Sequence, residues 1–163
     1  MLRVLPSLLP LVLLSLLVGC AGARARPDGG YRVAGVPAPW KKLEVKDNDL
    51  AYAIEGSGHT LALNATCEEH GDPPLGVLTR HLLMGFTERE LRAEQRVRVD
   101  GREALRSRYG AKLDGVPVEL ALLVLKKDGC VYDFSYIAPP ALFEQHLRDF
   151  ERLVAGFHTG ARP

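Results

Sequence analysis

The chain lacks an excess of charge of either sign, with 21 Lys and Arg against 20 Asp and Glu in 163 residues. Arg3 is the one charged residue among the first 19, so the remainder balances at 20 basic to 20 acidic residues. That balance argues against a nucleic-acid partner and against a strongly charged ligand, either of which leaves a surplus of one sign. Beyond residue 19 no apolar run approaches the roughly 20 residues that cross a bilayer. There is no glycine-rich phosphate loop, no nucleophile elbow and no HExxH pair. None of the five histidines stands beside a serine, cysteine or carboxylate in an arrangement readable as a triad. Cysteine is scarce, at three residues, and no second Cys/His pair sits at zinc-site spacing. The expectation is a protein without catalysis and without a cofactor.

What is present begins at the N-terminus. Arg3 gives a positive start, Leu8 to Val18 is apolar apart from Pro10 and Ser15, and Leu17-Val18-Gly19-Cys20 follows. The stretch is too short for a permanent membrane helix and reads as a signal peptide over residues 1–19. The four residues ending at Cys20 resemble the processing site of bacterial lipoproteins. The resemblance implies cleavage before Cys20, a diacylglycerol on its sulfur and membrane attachment. One acyl chain holds marginally and two or more hold stably. Ala21 in place of an aspartate implies the outer membrane, facing the periplasm. Ala21 to Pro39, rich in Ala, Gly, Arg and Pro, has little to bury and reads as a linker of roughly 25 Å if flexible.

With Cys20 lipidated, Cys67 and Cys130 remain as an even pair in an oxidising compartment. A disulfide would close a long loop and stabilise by about 4 kcal/mol in the chain-entropy picture. The alternative is two small buried hydrophobes that never meet.

Residues 40–158 suffice for one domain, with 159–163 as a tail. Leu50–Glu55 and Thr60–Glu68, joined by Gly56-Ser57-Gly58, read as a hairpin with Leu61, Leu63, Ala65 and Cys67 on one face. Leu75, Leu78, Leu82 and Phe86 recur at helical spacing, which predicts a helix over Pro74–Phe86. From Leu91 to Asp100 the signals conflict. Thr87 with Glu90 looks like a capping box, while Val97 and Val99 alternate, so a short helical turn followed by a strand is expected. Asp100-Gly101, Asp114-Gly115 and Asp128-Gly129 then punctuate a meander. Val116–Leu125, apolar on both faces apart from Glu119, reads as a central strand covered on each side. Cys130, Tyr132, Phe134 and Tyr136 share one face of the next strand. After Pro139-Pro140, Leu142, Phe143, Leu147, Phe150, Leu153, Val154 and Phe157 trace a helical stripe with Arg148, Glu151 and Arg152 on the wet side. The order predicts an α+β fold, an antiparallel sheet covered by helices.

This chain resembles the PsbP-like fold shared by photosystem oxygen-evolving proteins, Ran-binding Mog proteins and many small bacterial lipoproteins. The carriers are Val99-Asp100-Gly101-Arg102-Glu103-Ala104, Leu113-Asp114-Gly115-Val116-Pro117-Val118, the strand Cys130 to Ile137 and the helix ending Phe150-Glu151-Arg152-Leu153-Val154-Ala155-Gly156-Phe157. The resemblance implies an α/β/α sandwich and an accessory or binding role. It names no partner.

Three places carry chemistry. Cys67-Glu68-Glu69-His70-Gly71-Asp72 concentrates a thiol, an imidazole and carboxylates; a cation would be sought at Glu68, Glu69, His70 and Asp72, and a solvated acidic loop is the plainer reading. Tyr132, Phe134 and Tyr136 read as core beneath a helix rather than as the wall of a pocket. Asp133, amid apolar neighbours, is expected to pair with Arg106, Arg108 or Lys112. His81 and His146 fall on helices, and His59 and His158 near a turn and a terminus; bland surface or packing roles are expected of all four. The leading expectation is a lipid-anchored accessory or binding module of an envelope complex. A binding protein for a small apolar ligand or lipid comes second and a hydrolase third.

Overall fold

The computed structural model describes residues 30–46, 48–67 and 71–160. Cys20 and its processing site, Glu68, Glu69 and His70 lie outside them. In chain order the strands are β1 (Tyr31–Arg32), β2 (Lys41–Leu43), β3 (Leu50–Ile54), β4 (His59–Thr66), β5 (Phe86–Val99), β6 (Arg102–Leu113), β7 (Val116–Lys127), β8 (Cys130–Ala138) and β9 (His158–Thr159). Helix α1 (Leu75–Leu82) follows β4, and helix α2 (Phe143–Ala155) follows β8 through a short 3-10 turn at Pro140–Leu142.

Seven strands form one antiparallel sheet in the order β2-β3-β4-β8-β7-β6-β5. The Asp-Gly turns make β5 to β8 a meander, because a two-residue hairpin loop of this twist needs positive φ at both positions. Asp100, Asp114 and Asp128 stand at φ 47°, 50° and 52°, and their glycines at 77°, 81° and 78°. β7 is central, with β6 on one side and β8 on the other.

Alternation along β7 builds two separate cores. Ala121, Leu123 and Leu125 face α2 with Tyr132, Phe134, Tyr136, Phe143, Phe150 and Leu153, all buried. Leu120 and Leu122 face the other way, toward Leu82 and Leu83 at the end of α1. The helices therefore cover opposite faces, as the apolar character of both sides of this strand requires, and the aromatic stripe of β8 is core. Cys130 opens β8 and Cys67 follows β4. Since Thr66 is opposite Val131 in the ladder, Cys67 meets Cys130 and the two are disulfide-bonded.

Three expectations are corrected. The helix predicted over 74–86 is α1, ending at Leu82, because Gly85 at φ 89° turns the chain into β5. The helical turn expected before the last meander strands is absent: β5 runs unbroken from Phe86, and the Thr87/Glu90 signal marks a β-bulge at Glu88, φ 48°. A bulge breaks alternation, and this part of β5 reaches beyond the helices, so its sequence carries no clean period. Finally, the linker does not extend to Pro39 nor the tail begin at 159. Tyr31, Val33 and Val36 pack on the α2 core, and β1 pairs with β9. Gly156 permits this approach, since a Cβ there would stand 2.5 Å from the Ala34 backbone nitrogen.

Candidate functional site

α2 lies over the middle of the sheet, and β5 with β6 extends past it as a wing. The gap between helix and wing is an open trough. Its larger hollow, about 390 Å³, has a floor of Val97, Val99, Leu123, Phe150, Val154 and Phe157. A second hollow of about 230 Å³ shares Arg106 and reaches Ala121 and Leu147. Arg106 spans the trough to Glu151, Nη2 to Oε1 2.5 Å. At the far end Arg108 pairs with Glu119 and Glu144 and lies over the Phe143 ring, 4.4 Å from its centre. The hydrogen bond to Glu119 leads in raising the Arg108 pKa against its burial. An apolar floor with a few fixed polar groups at the rim suits an amphipathic small molecule.

The near end of the trough is closed by a clasp at Asp100. Its carboxylate accepts from Lys127 Nζ (2.5 Å) and the Thr159 amide (2.8 Å), and His158 Nδ1 lies 3.1 Å away. The Lys127 hydrogen bond, then that of Thr159, holds its pKa far below the usual carboxylate range. This clasp pins β9, and with it β1, beside the turns that end β5 and β7.

Asp133 corrects an expectation. It pairs with Asn64, its ladder partner on β4, whose Nδ2 donates to Oδ1 at 3.2 Å. Arg106 and Arg108 point to the opposite face of the sheet and bind glutamates, while Lys112 binds Glu88. Burial pushes the Asp133 pKa up to about 6, against the Asn64 hydrogen bond and with help from Asp49. Asp133 and Asp49 line a polar hollow of about 210 Å³ with Asn48 and Thr66.

Two of the histidines, His59 and His146, take packing roles. His59 is buried, its Nδ1 2.9 Å from Ser57 Oγ and its Nε2 3.2 Å from the Leu142 carbonyl. His146 Nδ1 meets Asp149 Oδ2 at 2.9 Å, and the Trp40 indole donates to the same oxygen at 3.0 Å. Burial would raise the Asp149 pKa, but the bonds from Trp40 and His146 hold it low. Together they fasten the Trp40 segment to α2. Nothing in the local sequence signals this cluster, whose bonds from His59 to Leu142 and from Trp40 to Asp149 span 83 and 109 residues. His81 is exposed on α1. Of the cation candidates, Asp72 already pairs with Lys126, and among the described residues no three His, Cys, Asp or Glu side chains converge on a metal position. No helix among them is long and apolar enough to cross a membrane.

No family model and no curated protein matches the sequence. Solved structures do match in shape. The cyanobacterial PsbP (CyanoP) of Synechocystis sp. PCC 6803 superposes with a TM-score of 0.62 at 14% identity, over 88% of this chain and 99% of its own. LpqN of Mycobacterium tuberculosis, described as involved in cell envelope biogenesis, gives 0.59 at 14% identity over 82% and 86%. A Pseudomonas aeruginosa protein of unknown function, PA94, a putative regulator, gives 0.50 at 14% identity over 83% and 99%. With its seven-stranded antiparallel sheet between two helices, the chain has the PsbP-like α+β fold.

Proposed function

We propose that this protein is a non-catalytic accessory or binding module of a bacterial envelope complex, held to the periplasmic side of the outer membrane by lipid on Cys20. One observation carries the reading: the N-terminal segment joins the domain at a single end of the sheet. Gly30 accepts from Gly160, β1 pairs with β9, and Thr159 hydrogen-bonds Asp100 and Asp128. A tether entering there holds the end marked by the Asp100 and Asp128 turns. The 12 residues of β6 carry the opposite end roughly 40 Å away at ~3.3 Å per residue. An anchored domain so held presents its far end to a partner. LpqN, of like fold, is described as involved in cell envelope biogenesis, which agrees with this setting.

The test is the intact mass of the membrane-extracted protein, with and without reduction and alkylation. A chain starting at Cys20 with acyl mass, with Cys67 and Cys130 alkylated only after reduction, is the expected result. An unlipidated chain overturns the anchor. The trough favours a second reading, binding of a small apolar ligand or lipid. Displacement of a fluorescent fatty acid, lost in Val154→Asp, would establish it.

A further inference from the structure

The trough between α2 and the wing has one end beside the tether. His158, in its lining, is the ladder partner of Arg32, and Phe157, in its floor, has its ring centre 5.9 Å from that of Tyr31. Gly30 stands next, its carbonyl accepting from the Gly160 amide. The chain running back from there meets Cys20 after ten residues, a reach of at most about 35 Å. Along the wing, Val99, Val97, Gln95 and Ala93 line the trough in turn, from the Asp100 clasp to the second hollow. Six residues of strand measure roughly 20 Å. The hydrocarbon core of a bilayer is about 30 Å thick, so one acyl chain spans about 15 Å. The trough is long enough to take one.

The charges around the trough choose among amphiphiles. Arg106 is bound to Glu151, Arg108 to Glu119 and Glu144, and both His158 and Lys127 to Asp100. Glu94 and Arg98 alternate with Val97 and fall on the other side of β5, where Arg98 stands opposite Glu103 and Glu94 acts on Tyr109. Among the described residues, then, the trough offers apolar surface and no unpaired charge, and an ionic headgroup entering it would have to break an existing pair. What fits is an acyl chain whose head stays outside. A lipid on Cys20 supplies such a chain, and covalent attachment within reach of the mouth sets it ahead of dilute free lipid. Shelter of one chain also alters the anchor, because two acyl chains hold stably and one only marginally.

We propose that the trough shelters one acyl chain of the protein's own Cys20 lipid, with the Arg106–Glu151 pair as a strap across it, so that the anchor loosens whenever that chain is in the trough. This rests on the lipid on Cys20 proposed above and names the occupant of the trough. The test is the rate at which the acylated full chain transfers between phosphatidylcholine vesicles. Wild type is expected to transfer about tenfold faster than Val154→Asp, which charges the trough, or Val97→Trp, which fills it, since in either variant both chains must leave the bilayer together. An unchanged urea midpoint identifies the variant that folds as wild type does. Excess hexadecanoate, which needs no variant, should slow the wild type by the same factor. Transfer indifferent to a folded variant or to hexadecanoate overturns the proposal, and acyl mass on Cys20 then leaves the anchor standing. A chain without acyl mass sinks both. Hexadecanoate that binds Cys20→Ser, and is lost from it by Val154→Asp, while transfer of the acylated chain stays indifferent, overturns the proposal in favour of free lipid.

Discussion

The two faces of the sheet differ in how much helix they have. On one, α2 with its preceding 3-10 turn buries an aromatic core, and Trp40, Tyr31 and the β1–β9 pair add a further cover. On the other, α1 shields a few leucines and leaves the outer ends of three strands bare. The sheet is the same; the length of the helix laid on it decides what is core and what is surface. Stability therefore concentrates on the α2 side, while the α1 side keeps large apolar side chains exposed.

The largest effect expected of this contrast comes from truncating the α2 core. Phe134→Ala or Phe150→Ala should each cost about 3–5 kcal/mol, through lost burial and the cavity left behind, read as a fall in the urea midpoint. Val116→Ala and Met84→Ala on the open face should stay within about 0.5 kcal/mol. Equal losses on the two faces would break the comparison. Next comes the crosslink at the edge of the α2 core. Cys67→Ser with Cys130→Ser should lose about 4 kcal/mol, by freeing a loop between residues 63 apart in the unfolded chain, measurable by the same melt under non-reducing conditions.

Asp133, on the α1 side, works against the fold. Its folded pKa, about 6, exceeds the unfolded value near 3.9. The wild-type chain therefore gains stability from this group as pH falls through 6 and holds that gain fully below about 4. Asp133→Asn removes the penalty at pH 7, so the variant should be more stable there by about 2–3 kcal/mol, and the advantage should vanish near pH 4. Paired denaturation curves at the two pH values check it. Asp100 and Asp149 have the opposite sign, since their lowered pKa values give stability at neutral pH that is lost as pH falls below about 4. The smallest effect belongs to the Arg106–Glu151 pair across the trough. It is well exposed, so Arg106→Ala should change stability by less than about 1 kcal/mol, visible as a midpoint shift near the limit of detection.

Much of this was legible in the chain. Asp-Gly pairs at near-regular spacing call for hairpins because few residues tolerate positive φ, and a strand apolar on both sides must lie between two covers. The facing of Cys67 and Cys130 followed from alternation. The site was less legible. A trough exists because α2 stops short of a wing, and no local pattern records where a helix comes to rest. Asp133 was assigned the wrong partners because a sequence does not say which strands are neighbours; β4, rather than β6, lies beside β8.

The sequence by itself determined the α+β class, the meander and the aromatic core under the last helix. Those features depend on φ preferences and on periods of two and 3.6, which act between residues close in the chain. Tertiary structure alone decided that Tyr31 to Val36 belong to the domain, that His59, His146, Asp149 and Trp40 form one fastening, and that a patch stays bare beyond α1. Each depends on distances between segments far apart in sequence, which burial and strand order fix only once the whole sheet has closed.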